Sequence, residues 1–283
     1  MGRGEYYEVR LGKPLPLADL RSEWFEWFLT DVDQYRPKQG SVVLWALGGA
    51  GFILKTPTAT IYIDPYVGGS VESEGVILHR MIPIPLNASS VRQIDATVIT
   101  HEDLDHLDEN FIFPVNKNTK CQFIGPPSVA ELLKSWEIAE ERIVSLKEND
   151  TTRIKDTKIV ALPSNDANPK TANTYLFDTG GARIFHSGDS LGLSEFAEVG
   201  KRHSVDIAAI SLGRNPPGSK WYNDASEVLQ IAGDLNAKIL IPMHWDLWYG
   251  TLEDPRLVER EAKERKRDVR VVSLRIGERF DYP

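Results

Sequence analysis

The sequence has almost no sulfur to spare for structure. It contains one cysteine, Cys121, so no disulfide can form within the chain. A thiolate-rich zinc site is excluded as well, because such sites use several cysteines. Cys121 lies in the apolar run Cys121-Gln122-Phe123-Ile124 and reads as a small buried hydrophobe. No run approaches the ~20 apolar residues that a membrane-spanning helix needs. The N-terminal Met1-Gly2-Arg3-Gly4-Glu5-Tyr6-Tyr7 lacks the apolar stretch of a signal peptide. These absences point to a cytoplasmic protein with no membrane partner. Positive charge is also in deficit: 33 Lys and Arg stand against 41 Asp and Glu, a formal charge of -8, which argues against nucleic acid as a partner.

What is present is a globular composition. With 283 residues, 41% hydrophobic and 26% charged, the chain can build a sizeable core in one large domain or two small ones. No linker-like stretch, repeat or low-complexity segment divides it. The expectation is a single domain over residues 1–283 with an N-terminal helical extension at about 1–40. Residues 17–35 show helical spacing of Leu20, Trp24, Phe25, Trp27 and Phe28, followed by the helix-ending Pro37 and Gly40. The period then changes. Short apolar strands are predicted at 42–47, 51–55 and 60–64, separated by Gly or Pro turns. Residues 65–90 read as loop with a helical turn, and 96–100 as a buried strand. Further strands fit 121–124, 158–162, 173–178, 182–186, 206–210, 238–242 and 269–274. Helices fit 107–112, 128–135, 193–200, 224–235 and 255–266. A meander of strands gives way to alternation with helices, so the fold class is α/β (α+β), mixed sheets covered by helices.

Three apolar strands end in ionisable groups, where proteins of this class place their sites. Strand 96–100 runs into His101-Glu102-Asp103-Leu104-Asp105-His106, strand 182–186 ends at His186-Ser187-Gly188-Asp189, and strand 238–242 at Met243-His244-Trp245-Asp246. A fourth, 158–162, is followed by Ser164-Asn165-Asp166. Imidazole and carboxylate are the ligands that divalent first-row metals prefer when no thiolate is offered. Packing four such groups into six residues is self-repelling unless a cation holds them. The bland alternative for 101–106 is a helix N-terminus, where Asp and Glu are favoured; capping accounts for one or two acids but not for both histidines. Alone, His244 could be a satisfied structural residue and Asp189 a turn residue beside Gly188. Together with the first cluster they supply what a two-metal site needs.

Ile94-Asp95-Ala96-Thr97-Val98-Ile99-Thr100-His101 through His106 resembles the metal-binding motif of the metallo-β-lactamase superfamily, and Asp64, Gly188-Asp189 and His244 match its other motifs in order. Within it, the chain looks like the L-ascorbate-6-phosphate lactonase branch. The stretches that carry this likeness are Glu23-Trp24 with Trp27, Arg92-Gln93-Ile94-Asp95-Ala96, His186-Ser187-Gly188-Asp189-Ser190, Asn215-Pro216 before Gly218, and Leu235-Asn236-Ala237-Lys238 through Ile241-Pro242 to His244. The resemblance runs from about residue 20 onward. It implies a four-layer αββα sandwich, two mixed sheets flanked by helices, with metals at one edge. It also implies a metal-dependent hydrolase of a small polar ester-like substrate, a sugar-phosphate lactone above all, opened by a metal-bound hydroxide. Phosphodiester hydrolysis on the same centre and a non-hydrolytic metal-binding or redox role are the alternatives.

The departures carry information. The superfamily motif His-x-His-x-Asp-His has Asp103 in place of its second histidine, and the histidine expected near 162–166 is absent, with Asp166 the nearest replacement. The metal-ligand candidates are therefore His101, Asp103, Asp105, His106, Asp166, Asp189 and His244. Asp105 would orient or deprotonate the attacking water, and Asp189 would bridge two metals. Asp64 and Thr100 would fix the ligands by hydrogen bonds, and His186 would do the same or serve a buried structural role. An oxygen-rich set favours manganese, with zinc or iron as the other choices, and one or two divalent ions are expected; a single-metal site leaves Asp103 without a ligand role. Lys170, Arg214 and Lys220 are the candidates to bind an anionic small-molecule substrate, although each also reads as a solvated surface charge. Trp221, Tyr222, Trp245, Trp248 and Tyr249 lie beside these motifs, as ring-stacking or packing aromatics. His79 and His203 read as ordinary residues, and Glu259 to Arg267 as a solvated helix face. The branch implies a homo-oligomer, an inference weakened by a missing C-terminal tail; the loop at 167–172 is also shorter than in the branch, and both regions could shape substrate binding.

Overall fold

Strands β1 (Val42–Gly48), β2 (Gly51–Lys55) and β3 (Thr60–Ile63) form an antiparallel meander in the computed structural model, which describes residues 17–73, 76–166 and 171–283. Strand β3 is followed, after a small hairpin of β4 (Val71–Ser73) and β5 (Val76–Leu78), by the parallel run β6 (Ala96–Val98), β7 (Gln122–Gly125) and β8 (Ile143–Ser145). The second half repeats the plan. Strands β9 (Thr151–Ile154), β10 (Thr157–Leu162), β11 (Thr174–Asp178) and β12 (Arg183–His186) form a meander. The parallel run β13 (Ile207–Ser211), β14 (Ile239–Met243) and β15 (Arg270–Val271) follows it. The last strand, β16 (Arg279–Tyr282), returns to pair with β1, so that each large sheet has seven strands among the described residues.

Both sheets are buried on both faces, which explains why their strands read as unbroken apolar runs. In β1, Val42, Leu44 and Ala46 point into the core between the sheets, while Val43, Trp45 and Leu47 point to the opposite side. There they meet the helices α1 (Leu17–Gln34), α2 (Glu109–Asn118) and α3 (Pro127–Ser135) through Phe28, Phe111 and Val129. The second sheet divides in the same way. Ile207, Ala209, Ile239 and Ile241 face the first sheet. Ala208, Ile210 and Leu240 face α4 (Glu195–His203), α5 (Ala225–Asp234) and α6 (Arg256–Glu264). The result is the expected αββα sandwich. Burying each large aliphatic or aromatic side chain contributes roughly 1.5–3 kcal/mol before chain entropy is set against it.

Several local expectations are corrected. The stretch read as loop holds the β4–β5 hairpin as well as a helical turn at Ala88–Ser90. Strands β8, β9 and β16 were not predicted. They are short, and the burial pattern of β8 and β9 is mostly exposed or partial, so neither apolar run nor alternation marks them. The helix expected at 107–112 is capped by Asp108 and continues through Pro114 to Asn118. Pro114 leaves the carbonyl of exposed Asn110 without its donor, and there solvent can take the donor's place. In α1, Phe28, Leu29 and Val32 are buried, whereas Trp27 is 61% exposed. The expectation for residues 1–16 lies outside the described residues.

Gly200 offers a test of the packing of the outer layer. A Cβ there would lie 2.2 Å from the carbonyl oxygen of Asp234 and 2.6 Å from the carbonyl carbon of Leu235, where α4 presses on the end of α5. Helix propensity alone favours alanine over glycine by about 1 kcal/mol, but overpacking against rigid backbone costs roughly 1–3 kcal/mol. Gly200→Ala is expected to lower the thermal midpoint; an unchanged or raised midpoint would show that the two helices can part without cost.

Candidate metal centre

The C-terminal ends of parallel strands from both sheets meet at one edge of the sandwich. Strand β3 delivers Asp64 and β6, parallel to it, delivers Thr100 and His101. From the second sheet, β10 leads to Asp166, β12 to Gly188-Asp189 and β14 to His244. The two sheets touch here. Gly188, at φ +52°, lies so close to Thr100 that a Cβ on it would be 2.8 Å from the Thr100 Cβ. Two non-glycine residues of the site also occupy left-handed backbone, Asp64 at φ 41° and His244 at φ 66°. Such conformations cost about 1–3 kcal/mol each and persist where the surroundings over-determine them. For Asp64 the surroundings include its own side chain, which takes three hydrogen bonds.

Those bonds fix how the histidines can act. The Thr100 backbone N–H donates to Asp64 Oδ1 at 2.8 Å and the Thr100 hydroxyl to Oδ2 at 2.6 Å. His106 Nδ1 lies 2.9 Å from the same Oδ2, and an ionised carboxylate can only accept, so Nδ1 carries the proton. The Thr100 hydroxyl has spent its one proton on Asp64. Its oxygen, 3.0 Å from His101 Nδ1, therefore accepts from that nitrogen. In their neutral form both imidazoles therefore present an Nε2 lone pair to the site. These two Nε2 atoms, His244 Nε2 and Asp189 Oδ1 are buried and have no hydrogen-bond partner among the described residues. Buried polar atoms are rarely left so. A cation is the partner such a donor set fits.

The ligand atoms fall into two overlapping groups. His101 Nε2 lies 3.6 Å from Asp103 Oδ2 and 3.7 Å from Asp166 Oδ2. His244 Nε2 lies 3.3 Å from Asp105 Oδ2, and His106 Nε2 lies 3.9 Å from Asp105 Oδ1. Asp189 Oδ1 sits between, 3.5 Å from His106 Nε2 and 3.6 Å from His244 Nε2. The trios His101, His106, Asp189 and Asp105, His106, His244 each bring their ligand atoms within 4.8 Å of one another, close enough to share an ion. All seven predicted ligand candidates are thus brought together, with Asp64 and Thr100 hydrogen-bonded behind His101 and His106.

The charges of this cluster hold one another in place. Burial opposes protonation of His244, but Asp189 and Asp105 push its imidazole up to about 9. Burial and neighbouring His106 oppose a charge on His101, and Asp103, Asp189 and Asp166 outweigh them. Burial alone would raise both acids; instead His244 and His106 hold Asp189 down to about 2, and His106, His244 and the Trp248 indole hold Asp105 far below the usual carboxylate range.

The other predicted residues divide. His186 has a structural role: its Nε2 donates to the Ala50 carbonyl at 2.8 Å while its Nδ1 accepts the Gly188 N–H at 3.1 Å, which seats the loop that carries Asp189. Burial holds its pKa below the usual value, in keeping with a neutral ring. The Arg214 guanidinium, on the exposed loop after β13, is 3.7 Å from Glu253, and Lys220 pairs with Glu227 at the start of α5. Lys170 lies outside the described residues. Cys121 is buried, as read from its apolar run. Two aromatics enter the site without having been assigned a role in it. Tyr222 packs its ring 4.9 Å from that of His244, and the Trp248 indole donates to Asp105 Oδ2 at 2.8 Å. Position beside the strand-end motifs was their only signal in the sequence.

Comparison with known proteins agrees with this geometry. The family description "Beta-lactamase superfamily domain" matches residues 59–245, which spans every ligand candidate. The chain belongs to the metallo-β-lactamase superfamily. It is 30% identical over 306 aligned positions to the "Probable L-ascorbate-6-phosphate lactonase UlaG" of Salmonella heidelberg (strain SL476), covering 92% of this chain and 86% of that protein. Among solved structures, the metallo hydrolase Igni18 of Ignicoccus hospitalis superposes with a TM-score of 0.67 at 15% identity, covering 86% of this chain and 99% of that one. An isothiocyanate hydrolase from Delia radicum gut bacteria superposes with a TM-score of 0.69 at 16% identity, covering 84% and 98%. The diiron β-hydroxylase CmlA of Streptomyces venezuelae, at 15% identity and TM-score 0.65, shares the fold over 88% of this chain and 55% of its own. The superfamily member described here is a metallo-hydrolase, and no helix among its described residues is long and apolar enough to cross a membrane.

Two predictions follow from the electrostatics and the hydrogen bonds. In chelator-treated protein, the stability contributed by protonated His244 is complete below its ordinary value of 6.5 and is lost as pH rises through about 9. Thermal midpoints are expected to fall across that window. Affinity for a divalent metal should rise over the same window, because ligation needs the neutral ring. Asp64→Asn removes the carboxylate that holds the His106 proton on Nδ1 and is expected to weaken metal binding by roughly 10–100-fold in a chelator competition; unchanged affinity would mean that Asp64 does not set the tautomer.

Proposed function

We propose that the chain is a lactonase that opens a small, polar, sugar-phosphate-type lactone on a two-metal centre, with manganese as the preferred ion. The observation that carries the reading is the convergence of three imidazoles and four carboxylates at one sheet edge, where His101 Nε2, His106 Nε2, His244 Nε2 and Asp189 Oδ1 are buried without a hydrogen-bond partner among the described residues. Its substrate class rests on the lactonase relative at 30% identity. Manganese is favoured because carboxylates outnumber imidazoles in the ligand set, and harder oxygen donors suit it better than zinc.

In this reading His101, Asp103 and Asp166 would hold one ion and Asp105, His106 and His244 the other, with Asp189 placed between the two groups. A bound divalent metal supplies Lewis acidity and a water made acidic enough to ionise near neutral pH. The chain's own residues do the rest. Asp105, which His106, His244 and Trp248 keep ionised, orients the attacking water. Tyr222, packed on His244, closes the side of the site next to Thr251 and excludes water there. Arg214, on the loop after β13, has its backbone N–H bonded to the Thr251 carbonyl at 2.8 Å. Its 66% exposed side chain can leave Glu253 for a phosphate or carboxylate.

The test is acid release from a panel of sugar and sugar-phosphate lactones by manganese-loaded protein, beside Asp105→Ala. Lactone opening that falls by roughly 10²–10⁴-fold in the variant, with the variant still folded, is the expected result. Turnover of phosphodiesters and not of lactones would replace the substrate class while keeping the centre. Equal rates in wild type and Asp105→Ala would remove Asp105 from the chemistry.

A further inference from the structure

We infer that Trp248 is a positioning residue of the centre, which fixes the carboxylate of Asp105 for metal binding and is itself locked by a strap built around Arg80. The inference rests on the reading of Asp105 as a metal ligand. A carboxylate turns freely about its last torsion, which has no sharp staggered wells. Asp105 must present its oxygens toward two different imidazoles, Oδ2 at 3.3 Å from His244 and Oδ1 at 3.9 Å from His106. The Trp248 Nε1–H donates to Oδ2 at 2.8 Å. An indole N–H can only donate, and bonding to one of the two equivalent oxygens fixes the plane of the carboxylate.

The indole is not free to follow Asp105 if the carboxylate turns. Trp248 is 3% exposed and its ring lies 5.6 Å from that of Tyr66. The Arg80 guanidinium lies over the same Tyr66 ring, 5.0 Å from its centroid. Arg80 spends its donors on backbone carbonyls of the same loop, those of Ile82, Gly68 and Pro83, each at 3.0 Å. The backbones are joined too. Arg80 and Trp248 form an antiparallel bridge, flanked by Met81 N–H to Leu247 O at 2.8 Å and Tyr249 N–H to His79 O at 2.9 Å. A segment of the first sheet's loop thus holds a residue from the second sheet's loop against a ligand from the first. This geometry also gives the β4–β5 hairpin, which precedes Arg80, a place in the construction of the site.

Trp248→Phe keeps an aromatic ring against Tyr66 and Leu247 and removes only the N–H. Metal affinity is measured by chelator competition with manganese and with zinc, and the thermal midpoint on metal-free protein. The expected result is affinity weakened by about 10-fold for one of the bound equivalents, with the metal-free midpoint unchanged. In an Asp105→Ala background, Trp248→Phe should add no further loss, because the acceptor of the contact it removes is already gone. Unchanged affinity in Trp248→Phe, or an equal further loss in the Asp105→Ala background, would overturn the inference. If Trp248→Phe does not fold, Arg80→Met tests the strap: the expected result is a similar loss of affinity in a folded chain, and retained affinity would overturn the lock. A wild-type chain that binds no metal would instead sink the reading on which the inference rests.

Discussion

Asp103, Asp105, Asp166 and Asp189 converge with His101, His106 and His244 on one edge of the sandwich, and the repulsion among those carboxylates is the constraint on which the site depends. At separations of 3.3 to 3.9 Å from the imidazole nitrogens, the acids can stay ionised only if positive charge stands among them. Protons on the histidines supply it in the metal-free chain, which is why His106 is raised well above its ordinary value despite complete burial. A divalent cation would take the place of those protons and satisfy buried atoms that have no hydrogen-bond partner among the described residues.

The scaffold makes this arrangement through repetition. Each sheet is a meander followed by a parallel run, and the two parallel runs aim their C-terminal ends at the same edge. Ligands from distant parts of the chain meet there without long loops. The price of precision appears as left-handed backbone at Asp64 and His244, and as a glycine at 188 where the loops of the two sheets touch. Behind the ligands, Asp64 receives Thr100 and His106 and passes its order on to His101 through the Thr100 hydroxyl. One buried carboxylate thus sets the tautomers of two histidines.

The long, doubly buried strands and the amphipathic helices were legible in the sequence because their burial is written as continuous apolar runs or as helical spacing. β13 and β14 were each placed to within a residue of Ile207–Ser211 and Ile239–Met243. The ligand cluster was legible because His101, Asp103, Asp105 and His106 crowd one turn after a strand, and because Asp189 and His244 also follow apolar strands. What stayed hidden depends on contacts distant in sequence. The β4–β5 hairpin is too short to show a period. Trp248 meets Asp105 across 143 positions of sequence, and no local pattern distinguishes a bonded indole from a packed one. The role of His186 was open between ligand support and core; its two backbone partners, Ala50 and Gly188, decide for a structural part in seating Asp189.

The account stands or falls on the cation. Elemental mass spectrometry of freshly purified, untagged protein measures it directly, with a thermal melt repeated after chelation and after adding back manganese, iron or zinc. One to two equivalents of a divalent first-row metal per chain, with the melting midpoint rising when the ion is restored, is the predicted result. A chain that carries no metal, and whose midpoint no added ion raises, would contradict the account and leave the buried nitrogens of His101, His106 and His244 without an explanation.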